Sequence, residues 1–260
     1  MMPTRRLLGA MAALLAVVCA PARPVSPPRI HLVHATAAGY AFTARPDFPA
    51  GQYRAMYCER DCTLQPARLR IERASVPTSD GTSASGFIAK TDASRPALFL
   101  VRGLPSLEAG PVRTWYVNHR FQAAGATVTG AGVETAVRRV SIDGVPLEIR
   151  ADVRQVPATF CNTVNCPSFP SVTWRMRFDG IERTLAVLSG DELGTPLPID
   201  DFIVWIGDLD GDGKPDLVVR PQTREDYLEM SLFLSSTLRP HRPWTPAGHF
   251  YFWDPTNPGC

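Results

Sequence analysis

The chain has 260 residues, with 27 lysines and arginines against 25 aspartates and glutamates, a formal net charge of +2. That balance carries no basic stripe and gives no support for a nucleic-acid partner. Beyond the first two dozen residues, no stretch is apolar for the roughly 20 positions a membrane-crossing helix needs, so no transmembrane segment is expected. The length suffices for one or two domains.

The N-terminus, MMPTRRLLGAMAALLAVVCAPA, has the layout of a secretory signal peptide. Arg5 and Arg6 precede an apolar run from Leu7 to Val18, which is followed by small residues. Residues 1–22 are the expected leader, with cleavage after Ala22 and the mature protein in the periplasm or outside the cell. Cys19 closes the apolar run as a lipidated cysteine would, but Val18 is bulky for a lipoprotein signal, which makes lipidation the lesser alternative. Without Arg5 and Arg6 the formal charge falls to zero. Only Lys90 and Lys214 are lysines, an arginine bias of the kind a GC-rich bacterial genome imposes.

From there the sequence reads as strands. Residues 23–80 are expected to form an N-terminal β region and 87–260 a main β domain, divided by the loop-like ASVPTSDGTSASG at 74–86. His31 and His34 would face opposite sides of a strand and read as ordinary histidines. CERDC at 58–62 and CNTVNC at 161–166 are local cysteine pairs. In an exported chain they predict disulfides rather than zinc, each pair closing a short loop or pairing across the fold; Cys260 is the natural odd thiol unless it pairs with Cys58, Cys62, Cys161 or Cys166 and leaves another free. ALFLVRGL (97–104) and RTWYVNH (113–119) are short apolar runs bounded by proline and glycine. The frequent prolines and glycines leave room for at most a modest helix, within 59–75 or 105–124. LEIRADVR (147–154) alternates after a turn-like DGVP. In SVTWRMRFDGIERTLAVL (171–188), Trp174, Met176 and Phe178 alternate with Arg175 and Arg177 ahead of Asp179-Gly180, the strongest hairpin signal in the chain.

GDLDGDGKPD at 207–216 is the sharpest chemical signal. Asp208, Asp210, Asp212 and Asp216 take positions 1, 3, 5 and 9 of a curled loop, with Gly213 at the reversal and Pro215 fixing φ before the last carboxylate. Calcium takes six to eight oxygens, and such a loop turns every second side chain inward, with Lys214 giving its backbone carbonyl. Four carboxylates crowded together without a cation would oppose one another's ionisation. A helix–loop–helix calcium hand does not fit, because Val219 stands where that loop needs a glutamate. The flanks, DFIVWIG and PDLVVR, are strand material.

WIGDLDGDGKPDLVV, residues 205–219, resembles the calcium-loop segment of FG-GAP-type repeats, the unit of the integrin α-chain propeller and of many exported bacterial proteins. The resemblance implies Asp208, Asp210, Asp212 and Asp216 as side-chain ligands of Ca2+ and Lys214 as a carbonyl ligand. It spans one segment, without a repeat at fixed period, so a complete propeller is not expected. The expected fold is mostly β: compact antiparallel β structure with an inter-strand calcium loop.

A zinc-protease motif, a nucleophile elbow and a phosphate loop are all missing. The aromatic tail around His241 and His249 (Trp244, Phe250, Tyr251, Phe252, Trp253) reads as core packing, with a carbohydrate-stacking face as the other option. Glu108 or Glu182 could belong to an acidic pair only if geometry supplied a partner. The function expected is therefore an exported calcium-binding protein, a binding or structural module rather than an enzyme, with an envelope protein or polysaccharide as partner class. The alternative is a secreted hydrolase braced by calcium.

Overall fold

A computed structural model describes residues 29–34, 41–42, 45–77, 82–92, 97–119, 137–157, 168–189, 202–221, 223–224, 227–239 and 244–253. The first strands are β1 (Ile30–His34), β2 (Ala41–Phe42), β3 (Gly51–Cys58), β4 (Cys62–Pro77), β5 (Ser83–Thr91), β6 (Phe99–Arg102), β7 (Gly110–Val112) and β8 (Thr114–Val117). A second group follows: β9 (Val137–Ile142), β10 (Val145–Pro157), β11 (Ser168–Phe178) and β12 (Ile181–Ser189). The chain then returns with β13 (Ile203–Gly207), β14 (Asp216–Val219), β15 (Thr223–Arg224), β16 (Tyr227–Phe233) and β17 (Gly248–Trp253), with a 3-10 turn at Ser235–Thr237 after β16.

The first and third groups build one 13-stranded sheet, ordered β2-β5-β4-β3-β6-β1-β17-β16-β14-β13-β8, with β7 on β4 and β15 on β16. It curls into an open half-barrel. The second group is a four-stranded antiparallel meander, β12-β11-β10-β9, inserted between two strands that are themselves neighbours, β8 and β13. Two of its strand pairs, β9–β10 and β11–β12, turn at Asp-Gly dipeptides. Asp143 and Gly144 have φ of 51° and 87°, and Asp179 and Gly180 have 48° and 73°. Two successive positive φ angles make the turn whose twist matches the flanking strands.

One allowance closes and one expectation needs correction. The stretch 59–75 is not helical: most of it lies in the 16-residue β4. Ala67 and Leu69 are buried while Arg68 and Arg70 are exposed, a period of two that a helix would scatter around its circumference. The FG-GAP resemblance also fails. The β13–β14 hairpin sits between β8 and β16 within a continuous half-barrel sheet, not in a four-stranded propeller blade.

Two apolar clusters lie on opposite faces of β13, β14 and β16. The larger joins Val204, Trp205, Val218 and Leu232 to Leu32, Met56, Phe99 and Leu100 of the half-barrel. The smaller joins Ile203, Ile206, Leu217, Val219 and Phe233 to Ile149, Val172, Trp174 and Met176 of the meander. Burial on both faces explains why IVWIG and the LVV that follows Asp216 are continuous apolar runs rather than alternating ones. The register slips between Ile203 and Trp205, so Val204 is a bulge residue. The slip puts Val204 and Trp205 in the same cluster although they are adjacent.

Candidate metal centre

The acidic loop joins two of the most buried strands in the molecule. Gly207 closes β13 against the Trp205 ring and the Arg113 carbonyl; a Cβ there would lie 2.1 Å and 2.5 Å from them, so only glycine fits. Leu209 then drops into the larger core, 4% exposed, which turns its neighbours Asp208 and Asp210 the other way. Gly211 and Gly213, at φ of 80° and 79°, supply the left-handed backbone of the reversal.

Asp208, Asp210 and Asp216 each place a carboxylate oxygen within 4.8 Å of the others. Asp216 is fully buried. Its Oδ2 accepts from the amides of Leu209 at 2.7 Å and Asp210 at 3.3 Å. Its Oδ1 accepts from the Ser235 amide at 2.7 Å and the Ser235 hydroxyl at 3.0 Å. Both oxygens of Asp208 accept loop amides, from Gly211 at 2.8 Å and Gly213 at 2.9 Å. Asp210 accepts from the Ser236 hydroxyl.

Asp212 is not among the three convergent carboxylates. Its oxygens face the Ser235 hydroxyl, 2.8 Å from each, and Oδ1 accepts from the Lys214 amide at 2.9 Å. The Ser235 hydroxyl thus has three carboxylate oxygens in reach and one proton to give. The Lys214 residue is exposed, consistent with a side chain pointing away from the centre.

Burial pushes the Asp216 carboxyl up to about 7, and the negative charge of Asp210 adds to that push. The amides of Ser235 and Leu209 and the Ser235 hydroxyl pull the other way. No ion pair among the described residues joins a base to Asp208, Asp210, Asp212 or Asp216. Hard oxygen donors gathered at one point without a neutralising base suit a divalent cation, which supplies the missing positive charge.

The serines Ser235 and Ser236 were invisible to motif reading. They come from a turn 19 or more residues downstream, and an SST tripeptide after a strand carries no spacing signal.

Other sequence candidates fall elsewhere. Cys58 and Cys62 form a disulfide at the β3–β4 turn, with Cα atoms 4.1 Å apart; Cys161, Cys166 and Cys260 lie outside the described residues, as do Cys19, the leader and His241. Trp244 and Phe250 are core residues. Glu182 is engaged by Arg150 and Arg175, both at 3.0 Å, on an open sheet face. Glu108 is an exposed loop residue.

No family model, curated protein or solved structure matches the chain.

Proposed function

We propose that the chain is a calcium-stabilised β protein of the periplasm or cell exterior, acting as a binding or structural module. The observation that carries this reading is the convergence of Asp208, Asp210 and Asp216 within 4.8 Å, with Asp216 fully buried. A cation there links the β13–β14 loop to the Ser235–Thr237 turn, and so ties three neighbouring strands of the sheet together at one end. Calcium suits the donor set better than magnesium. It accepts six to eight oxygens in irregular geometry, whereas magnesium demands a near-octahedral shell and keeps its water. The three convergent carboxylates form the core of the shell; the Lys214 carbonyl is proposed as a further ligand, and Asp212 would join only by turning away from the Ser235 hydroxyl.

Export is supported by the leader-like residues 1–22 and by the Cys58–Cys62 disulfide, a bond that persists in oxidising compartments. Calorimetric titration of chelator-stripped protein tests the metal reading. One calcium per chain is expected, with magnesium binding weakly. Absence of binding heat for both ions, in protein shown to be folded, would overturn it.

A further inference from the structure

The path of the large sheet, β2-β5-β4-β3-β6-β1 and then β17-β16-β14-β13-β8, divides between β1 and β17. The strands before the division end by Arg102 in the chain, and those after it begin at Thr114. This junction is also the one parallel pairing among the described strands. Its register holds two pairs, Ile30 with Gly248 and His31 with His249, whereas β1–β6 beside it holds four and β16–β17 six. A parallel ladder is slightly less stable per residue than an antiparallel one, so the junction is the weak link of the sheet by length and by kind. A cleft of about 220 Å³ lies against it, lined in part by residues 29–32 and 246–250. Residues in register on neighbouring strands share a face. His31 is in register with Arg102 of β6 on one side and His249 of β17 on the other. One row across three strands therefore carries a guanidinium and two imidazoles. Arg29 adds positive charge near His31 and Asp47 opposes it, while Glu229 Oε1 lies 3.9 Å from His249 Nδ1. Further along β1, His34 is buried opposite Phe99, with Arg220 the charge that acts on it.

We propose that the β1–β17 junction is a proton-operated seam: acid charges the histidines of β1, and the strand parts from β17, splitting the half-barrel between its two sets of strands. Burial, Arg29 and Arg102 hold the His31 imidazole below its ordinary protonation range, against the pull of Asp47. Burial, with Arg220 in support, takes His34 down to about 3. Both rings are neutral while β1 is in place and accept a proton once it leaves. Below the ordinary value of 6.5 the open form therefore binds more protons than the closed one. Closure is full above that value and is lost as pH falls below it. Each histidine can raise the open population by up to about tenfold per pH unit. A proton on His249 acts in the same direction, because it sets a second cation directly opposite His31.

The test is native-state hydrogen exchange on the full chain at about pH 7.5 and about pH 5, on either side of the imidazole range. Chelator is present at both, so that calcium release does not contribute. After correction for intrinsic exchange, the opening constants of β1 and β17 amides should rise at least about tenfold on acidification, and those of β10 and β11 less than about twofold. His31→Gln and His34→Gln should each cut the rise, and the double variant should remove it. His31 is a partly exposed side chain, so His31→Gln decides the matter even where His34→Gln fails to fold. No rise in the wild type, a rise undiminished in His31→Gln, or an equal rise in β10 and β11 would overturn the proposal.

Discussion

Asp216 has both oxygens satisfied by donors, no exposure to water and, among the described residues, no base paired with it. Three of those donors are backbone amides, of Leu209, Asp210 and Ser235. Asp216→Ala leaves all three without that acceptor, those of Leu209 and Ser235 in buried surroundings. At about 1–3 kcal/mol per buried unsatisfied group, it should destabilise even cation-free protein by roughly 3 kcal/mol or more in chemical denaturation. Asp210→Ala orphans a weaker bond set and should act mainly through loss of the metal. The pH dependence follows from the raised Asp216 carboxyl. Its folded value, about 7, lies above the ordinary value of 3.8. The stabilisation from its tighter proton is therefore full below about pH 4 and is lost as pH rises towards 7 in cation-free protein. Calcium needs the ionised form, so apparent calcium affinity should rise by up to about tenfold per pH unit through that window and level off above it. Calorimetry in buffers of different ionisation enthalpy reads the proton released. An affinity flat from pH 5 to 8 would mean that Asp216 is already ionised without the ion.

At the scale of elements, the parts legible in the sequence are those whose signal is local. The Asp179-Gly180 and Asp143-Gly144 turns announce their hairpins because their backbone angles restrict residue choice. The Cys58–Cys62 pair closes across a hairpin for the same reason of proximity. The acidic loop was legible as a unit between strands, including Gly213 and the exposed Lys214. What could not be read is long-range. No local pattern says that β8 and β13 pair across an inserted four-stranded meander, that β1 lies parallel to β17, or that Ser235 and Ser236 complete the acidic centre. The alternation of Ala67 and Leu69 with Arg68 and Arg70 did mark β4 as a strand, and could have removed the helical option. The FG-GAP likeness shows the opposite hazard: a short loop suited to a cation can form wherever two buried strands need a polar link, and it carries no information on the sheet around it. The disulfide yields its own prediction. A loop this short restricts the unfolded chain modestly, so Cys58→Ser with Cys62→Ser should lower stability by roughly 2 kcal/mol in equilibrium unfolding. No change would mean that the bond adds nothing to a turn already fixed by strand pairing.

For the whole molecule, the half-barrel and the meander are joined by a shared core rather than by a single hinge. The Trp174 and Phe202 rings stack with centroids 3.8 Å apart and planes within 4°, the meander against the chain entering β13. Trp174 is fully buried. Trp174→Ala should cost roughly 3–5 kcal/mol and lower the unfolding midpoint of the meander and the half-barrel together. Two separated transitions in calorimetry would show instead that the sheets unfold independently. In the native host the mature chain should begin near Arg23, which N-terminal sequencing checks; retention of residues 1–22 would remove the export part of the proposal. The acidic centre sits at the end of the strands that both cores share, so a cation there should stabilise the molecule as a whole. The most direct measurement is thermal unfolding in chelator, in about 1 mM magnesium and in about 1 mM calcium, on wild type, Asp210→Ala and Lys214→Gln. For a site of Kd about 10⁻⁴ M, calcium should add roughly 1.4 kcal/mol to wild type and to Lys214→Gln, little to Asp210→Ala, and magnesium should add little to any of them. Identical midpoints for the wild type in all three solutions would contradict the account and reduce the loop to a solvated acidic turn.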